Sequence, residues 1–233
     1  DDELHPLALE YIALAIQQHP EGDYFYTDED KITEEGEHCQ PHFKPDWSPT
    51  LLESMMYLGH FSVIRRRCID QVGGFRIGFE GSQDYDLALR ISKISDQFIH
   101  IRRILYHWRM VPGSVAGDTD EKRYAYDAAV KALGEHVSKH SEADERIKPE
   151  VRRTEFPGLY QVRRRLPVDR QPAVSVIIPF HNAPEMTISC LASVLASSYG
   201  NLEVLVISNN SDREAVEGVR GYISGEPRAR LLE

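Results

Sequence analysis

The sequence predicts an α/β protein made of two unequal segments, and three observations carry that prediction. Beyond Pro172, apolar runs of strand length alternate with helix-length amphipathic runs in the order strand, helix, strand, helix, strand. That is the spacing of a parallel sheet with crossover helices. Before residue 117 the helical and strand patterns are mixed, with short runs rich in Tyr, Phe, Val and Ile. Between these regions the charge turns over. Residues 1–46 hold 13 acids and two lysines, whereas residues 151–170 hold six arginines against Glu155 and Asp169.

Leu7, Leu9, Ile12, Ala13 and Ile16 recur at helical spacing, with Pro6 suited to a first turn and His19-Pro20 as the stop. Tyr24–Thr27 predicts a short strand running into an acidic turn, Asp28-Glu29-Asp30, paired by Lys31. Residues 33–50, with Gly36, Pro41, Pro45 and Pro49, predict loop. Leu51–Met56 has a helical pattern and Phe61–Ile64 a strand pattern. Arg66–Val72 predicts a helix ended by Gly73-Gly74. Tyr85–Ile94 predicts a further helix, Ile99–His107 a strand, and 121–140 a long amphipathic helix. A polar linker follows at 141–150, and Val151–Phe156 and Leu159–Leu166 can pair as a hairpin around Gly158. In the last segment Val174–Pro179 is a continuous apolar strand of the buried, parallel type. After it come a helix from Pro184 to Ser197, the strand Leu202–Ser208, a helix over Arg213–Ile223 and the strand Ala229–Leu232. Such an alternation opens a nucleotide-binding α/β domain.

Composition excludes several classes. A net charge of −10 argues against a protein that coats nucleic acid, which needs a basic face. Cys39, Cys68 and Cys190 are odd in number and at no metal-ligand spacing, so a reducing compartment, the cytoplasm, fits better than a disulfide scaffold. The apolar runs fall well short of the ~20 residues that span a bilayer. The start at Asp1 rather than Met reads as a cut end.

Four places carry chemistry. Adjacent acids at Asp1-Asp2, at a strand end, can hold a hard divalent cation, although a pair of acids is more often simply solvated. The run Phe79-Glu80-Gly81-Ser82-Gln83-Asp84-Tyr85-Asp86 places Asp84 and Asp86 at the mouth of a helix. The positive end of the helix dipole there keeps a carboxylate ionised and fit to act as a base. The competing reading is a plain helix N-cap, which leaves the Gly-Ser-Gln lead-in unaccounted for. Tyr106-His107-Trp108-Arg109 ends a strand; beside a metal and a phosphate, His107 could ligate and Arg109 hold charge. The Asp28-Glu29-Asp30 run mimics an Asp-x-Asp metal motif, and its main reading is an acidic turn.

Taken in order, DDELHPLAL, YTDEDKI, FKPDWSPTLL, VGGFRIGFEGSQDYDLALR and ILYHWRMVPGSVA resemble the second half of an inverting family 2 glycosyltransferase with the GT-A fold. PAVSVIIPFHNAPEMTISCLASVL and LEVLVISNNSD resemble the first half of a domain from the same family. The resemblance implies GT-A half-domains with a mostly parallel sheet, back half preceding front half, as in a window across the joint of a tandem pair. It divides the chain into 1–117, 118–171 (helix, linker and hairpin) and 172–233.

The resemblance also implies roles. Asp84 matches the catalytic base, and Asp1 the last acid of the metal-binding Asp-x-Asp motif. His107 matches a position that completes coordination of Mn²⁺ or Mg²⁺ in some relatives. Asp86, Trp108 and Arg109 are the expected acceptor or phosphate contacts. Pro179, Phe180, His181 and Asn182 match the loop over the nucleotide, facing Ser208 and Asn209, where Ser208 replaces the usual Asp. The implied partners are a nucleotide-diphosphate sugar of the UDP type and a glycan acceptor, in bacterial surface polysaccharide synthesis. The basic stretch 152–170 adds peripheral association with the inner face of the membrane as a minority reading. The open sheet edges of two half-domains predict self-association. The alternative function is a catalytically incomplete fragment that serves as a structural or glycan-binding module.

Overall fold

The computed structural model describes residues 2–110, 119–140, 148–167 and 171–233. The chain is mixed α/β and divides into two compact units, Asp1–Arg165 and Leu166–Glu233.

The first unit runs β1 (Glu3–Leu4), α1 (Ala8–Gln18), β2 (Tyr24–Ile32), β3 (His38–His42), α2 (Pro49–Leu52), β4 (Ser62–Ile64), α3 (Arg66–Val72), α4 (Gln83–Ile91) and β5 (Phe98–Arg109). It continues through α5 (Thr119–His140), β6 (Glu150–Arg153) and β7 (Tyr160–Arg163). Its sheet has the order β1-β5-β2-β3, with β4 also on β2. Here the parallel sheet expected from the sequence is confined to the β2·β5 pair; β1, β3 and β4 pair antiparallel. The five residues between β2 and β3 are far too few for a parallel crossover, so that connection has to return antiparallel.

Two expectations are corrected at this sheet. Asp28-Glu29-Asp30 is not a turn: β2 runs unbroken through it to Ile32. Residues 33–50 are not all loop, since His38–His42 forms an edge strand on β2. Edge position explains how Pro41 is tolerated there.

The core lies between the sheet and the helices. Tyr24, Tyr26, Leu58, Tyr85, Leu89 and Phe98 are buried together with Ala129, Leu133 and Tyr160, so α5 and the β6–β7 hairpin pack into the same core as the elements before residue 110. The other face of β2 and β5 is covered through Ile12 and Ala15 of α1, which meet Phe25, Ile99 and Ile101. Local chemistry sets the helix ends. Ser48 Oγ accepts from Leu51 N at 3.2 Å with Pro49 in the first turn of α2. Gly73, at φ +83°, closes α3 by donating its N–H to Ile69 O at 2.9 Å.

The second unit is β8 (Val174–Phe180), α6 (Pro184–Leu195), β9 (Leu202–Ser208), α7 (Arg213–Ile223) and β10 (Ala229–Leu232). Its sheet, β10-β9-β8, is parallel throughout. Ile178, Phe180, Val204 and Val206 pack on Leu191 of α6 and on Val216 and Val219 of α7. On the opposite face of β8, Ile177 is 60% exposed. Among the described residues no helix is long and apolar enough to cross a membrane.

Candidate functional site

Asp84 stands exposed in the first turn of α4, where its Oδ1 accepts from Tyr85 N at 2.8 Å. The loop before it is fixed by α5. Gly81 sits at φ +79° with α5 so close that a Cβ would lie 2.7 Å from both the Ala125 Cβ and the Tyr124 ring. Ser82 Oγ donates to Ala125 O at 2.8 Å. Gly81 is therefore required twice, for its left-handed backbone and for the space it leaves.

A cleft of about 460 Å³ opens at Asp84. Gly81 and Gly59 line it with bare backbone, Met55 and Met56 give it apolar surface, and Trp108, 40% exposed, lines it together with His60. Tyr126 of α5 and Pro157–Tyr160 of the hairpin complete the wall. Its carboxylates are Glu29 and Asp84, and no Lys or Arg lines it among the described residues. Burial pushes the Tyr160 phenol up to about 12, so it stays a neutral donor.

A buried lysine holds the loop on which His60 lies. Lys44 Nζ donates to Glu29 Oε2 at 3.1 Å and to Leu58 O at 2.7 Å, with a further short bond to His60 O. Its backbone N–H reaches Asp28 Oδ1 at 2.8 Å. Burial lowers the Lys44 ammonium from its ordinary value, opposed by the Glu29 carboxylate. His60 stacks on Tyr106 at 4.8 Å and meets Trp108 edge-on at 5.7 Å.

Strand alternation separates the predicted residues of β5. Tyr106 and Trp108 both contact His60, so His107 points to the other face. There His107 Nδ1 meets Asp30 Oδ1 at 2.5 Å, and His38 Nδ1 meets Asp30 Oδ2 at 2.9 Å. The three ligand atoms lie within 4.8 Å of one another, a group able to hold a cation. The structure thus brings Trp108 to Asp84 and takes His107 away from it.

The other predicted residues of the first unit are placed as follows. Asp1 lies outside the described residues. Asp2 accepts from Arg109 N at 3.0 Å and from the Tyr106 hydroxyl. Partial burial raises its carboxyl, but those two bonds outweigh it and leave Asp2 below the ordinary value. Arg109 also pairs with Glu3. Asp86 is corrected as a ligand contact: it is 1% exposed, with its carboxylate gripped by Arg76 and Arg90, so it anchors α4 and has no surface to offer.

In the second unit the predicted loop gathers at the C-terminal edge of the parallel sheet, the usual place for a ligand in such sheets. His181 Nδ1 lies 2.9 Å from Asn209 O, and Asn209 N donates to Phe180 O at 2.8 Å. Asn182, at φ +46°, accepts through Oδ1 from Asp212 N at 2.6 Å. Ser208 Oγ accepts from Ser211 N at 3.4 Å, and Pro179 is exposed. Phe180 is corrected: its ring is 6% exposed in the core, so it supports the loop from beneath and does not cover a base.

Sequence reasoning missed Glu29, His60, Tyr126 and Tyr160 as cleft residues and Asp30 and His38 as partners of His107. For Asp30 a signal existed in the Tyr, Thr and Ile that bracket the acids and favour strand.

The sequence model of glycosyl transferase family 2 matches residues 175–233. The chain is 41% identical over 214 residues to the O-antigen biosynthesis protein RfbC of Myxococcus xanthus, covering 91% of this chain and 16% of that protein. It is 38% identical over 236 residues to the uncharacterized protein y4gI of Sinorhizobium fredii, covering 100% of this chain and 25% of that one. Over 59 residues it is 34% identical to the uncharacterized glycosyltransferase YibD of Escherichia coli, covering 25% of this chain and 17% of that protein. The chain spans a quarter or less of the length of these curated relatives.

Proposed function

We propose that the chain, whose residues 175–233 match the model of glycosyl transferase family 2, supplies two half-sites of sugar transfer in bacterial surface polysaccharide assembly. Residues 1–117 would be the back half of one GT-A domain, 118–171 the helix, linker and hairpin that follow, and 172–233 the front half of the next. The observation that carries this reading is the cleft around Asp84. Two carboxylates, aromatic faces and bare glycines, with no Lys or Arg among the described residues, suit a hydroxyl-rich neutral ligand and not a phosphate. A glycan acceptor fits it.

In this reading Asp84 accepts the proton of an acceptor hydroxyl. The freed oxygen attacks the anomeric carbon of a nucleotide-diphosphate sugar, and the bond to the diphosphate breaks with its electron pair on the leaving group. Attack opposite the leaving group inverts the configuration. Trp108 and Tyr126 would stack on the acceptor ring, and Glu29 would accept a second hydroxyl. Within residues 172–233 the loop of Pro179, His181, Asn182, Ser208 and Asn209 would hold a UDP-type nucleotide; within residues 1–117 Arg109 would be a phosphate contact of that half's own donor.

A divalent cation, Mn²⁺ or Mg²⁺, would neutralise the diphosphate when bound. His107 has cation-holding neighbours in Asp30 and His38, but they lie across β5 from Asp84, so no step of the transfer is drawn through them. The setting is the cytoplasm. Part of the basic stretch is already engaged within the protein, through Arg153–Asp127 and Arg164–Glu53, which leaves less charge for the inner face of the membrane. Self-association follows from the exposed sheet face at Ile177.

A second reading, a glycan-binding module without turnover, is favoured by one observation: Asp84 and the nucleotide loop lie in different compact units. UDP release from a panel of UDP-sugars separates the two. In the full-length protein that contains both halves of the domain, Asp84→Asn is expected to lower transfer by roughly 10²–10⁴-fold while UDP affinity stays within about threefold. Turnover at the parent rate in that variant would remove Asp84 as the base.

A further inference from the structure

We infer that Asp30, His38 and His107 form a binding site for one transition-metal cation of the Zn²⁺ class, separate from the Asp84 cleft. The inference stands on the geometry of three strands and does not rest on the transferase reading.

Register brings the donors together. In the parallel β2·β5 pair Asp30 lies opposite His107, and in the antiparallel β2·β3 pair His38 lies opposite Ile32, diagonal to Asp30 on the same face. Asp30 and His107 are each 7% exposed, whereas the His38 side chain is 58% exposed, which gives an ion a path inward. The two imidazole rings meet edge-on with centroids 4.5 Å apart.

The donor set is chemically selective. Two imidazole nitrogens and one carboxylate oxygen suit Zn²⁺ and its neighbours, whereas Mg²⁺ prefers oxygen alone. Tetrahedral ligands at ~2.1 Å from zinc stand about 3.4 Å apart. His107 Nδ1 is now 2.5 Å from Asp30 Oδ1 and His38 Nδ1 2.9 Å from Asp30 Oδ2, and the three donor atoms lie within 4.8 Å of one another, so side-chain adjustments of about an ångström would bring one atom of each residue to that spacing. Binding would displace the protons now shared between Asp30 and the two rings, and water would take the fourth position on the exposed side. A cation here ties β2, β3 and β5 together at their ends, where β3 is otherwise held only as an edge strand.

The test is calorimetric titration of Zn²⁺, and separately Mg²⁺, into the whole chain, with thermal unfolding measured in parallel. One Zn²⁺ per chain is expected, with Mg²⁺ at least 100-fold weaker and the unfolding temperature raised by Zn²⁺. His38→Ala changes an exposed residue and should fold; it is expected to weaken Zn²⁺ at least tenfold and to abolish the thermal shift. Asp30→Asn should do the same. His19→Ala, beside Glu21 on the surface, is the control and should leave binding unchanged. Absence of a saturable site overturns the inference. So does Zn²⁺ affinity that survives His38→Ala, or an equal response to Mg²⁺. All of these outcomes are independent of whether the chain transfers sugar.

Discussion

Gly81→Ala tests whether α5 is part of the site or merely follows it. The substitution forces two penalties that the structure makes explicit. A non-glycine residue at φ +79° costs about 1–2 kcal/mol. The new methyl would stand 2.7 Å from the Ala125 Cβ and 3.2 Å from its Cα. The Tyr124 ring can swing away but the helix backbone cannot, so overpacking adds about 1–3 kcal/mol. The sum, about 2–5 kcal/mol, corresponds to a fall in melting temperature of roughly 4–20 °C for a unit of this size. Gly134→Ala is the matched control. It lies inside α5 with nothing within 4 Å of its added Cβ, so it should stabilise by about 0.5–1 kcal/mol through helix propensity. Urea unfolding of both variants reads the two signs. A Gly81→Ala variant within about 0.5 kcal/mol of the parent would mean that α5 does not press on the Asp84 loop, and the role given to α5 would fall with it.

Other perturbations follow from the same contacts. Asp86→Ala strands Arg76 and Arg90 around a buried gap, and by the usual cost of breaking a buried pair should lose about 3–5 kcal/mol. Asp84→Ala, two residues away but exposed, should lose less than about 1 kcal/mol; equal losses in urea would contradict the separation of anchor from site. Asp23 gives a pH signature. Burial raises its carboxyl, yet the bonds from Arg67 and Ser95 outweigh this and hold it below the ordinary 3.8. Its contribution is therefore complete above that value and is lost as pH falls through the lower folded-state value. Asp23→Asn should lower stability at neutral pH and flatten its decline below about pH 4, measured as the urea midpoint across acid pH. An unchanged acid slope would exclude the Arg67 pairing.

The second unit was the more legible half because its strands are apolar runs, with Ile178, Phe180, Val204 and Val206 buried on the side that the helices cover. Leu202–Ser208, Arg213–Ile223 and Ala229–Leu232 fall where the pattern puts them. In the first unit the hairpin was marked by Gly158, and the start of α4 by the Gly-Ser-Gln lead-in, whose Gly81 and Ser82 pack on α5. What escaped was everything set by pairing across the chain. His107 and Asp30 are 77 residues apart, and no local pattern links them. The β3 strand, His38–His42, carries no apolar alternation to announce it. Its pairing with β2 alone decides it. The acids of β2 were misread for a related reason: Asp and Glu are poor strand formers where their side chains meet only solvent, and these meet Lys44, His38 and His107 instead.

The register shifts between β2 and β5 show how one continuous strand serves a core and two polar sites. Up to Thr27 its partners on β5 advance in step, and the rings of Tyr24 and Tyr26 lie in the apolar core. The register then shifts between Thr27 and Asp28 and again between Asp28 and Glu29. Such irregularities re-aim side chains. Beyond them Glu29 turns toward His60 and the Asp84 cleft, and Asp30 toward His107 on the opposite face. Because alternation has a period of two, a slip of one residue in β5 would exchange the faces of His107 and Trp108. It would also bury the indole against Asp30 and move the imidazole to the side of the Asp84 cleft. The apolar anchoring of both strands near Phe25 and Ile99, against Ile12 and Ala15 of α1, makes that slip costly. Core packing at one end of the sheet thus fixes which chemistry faces which side at the other.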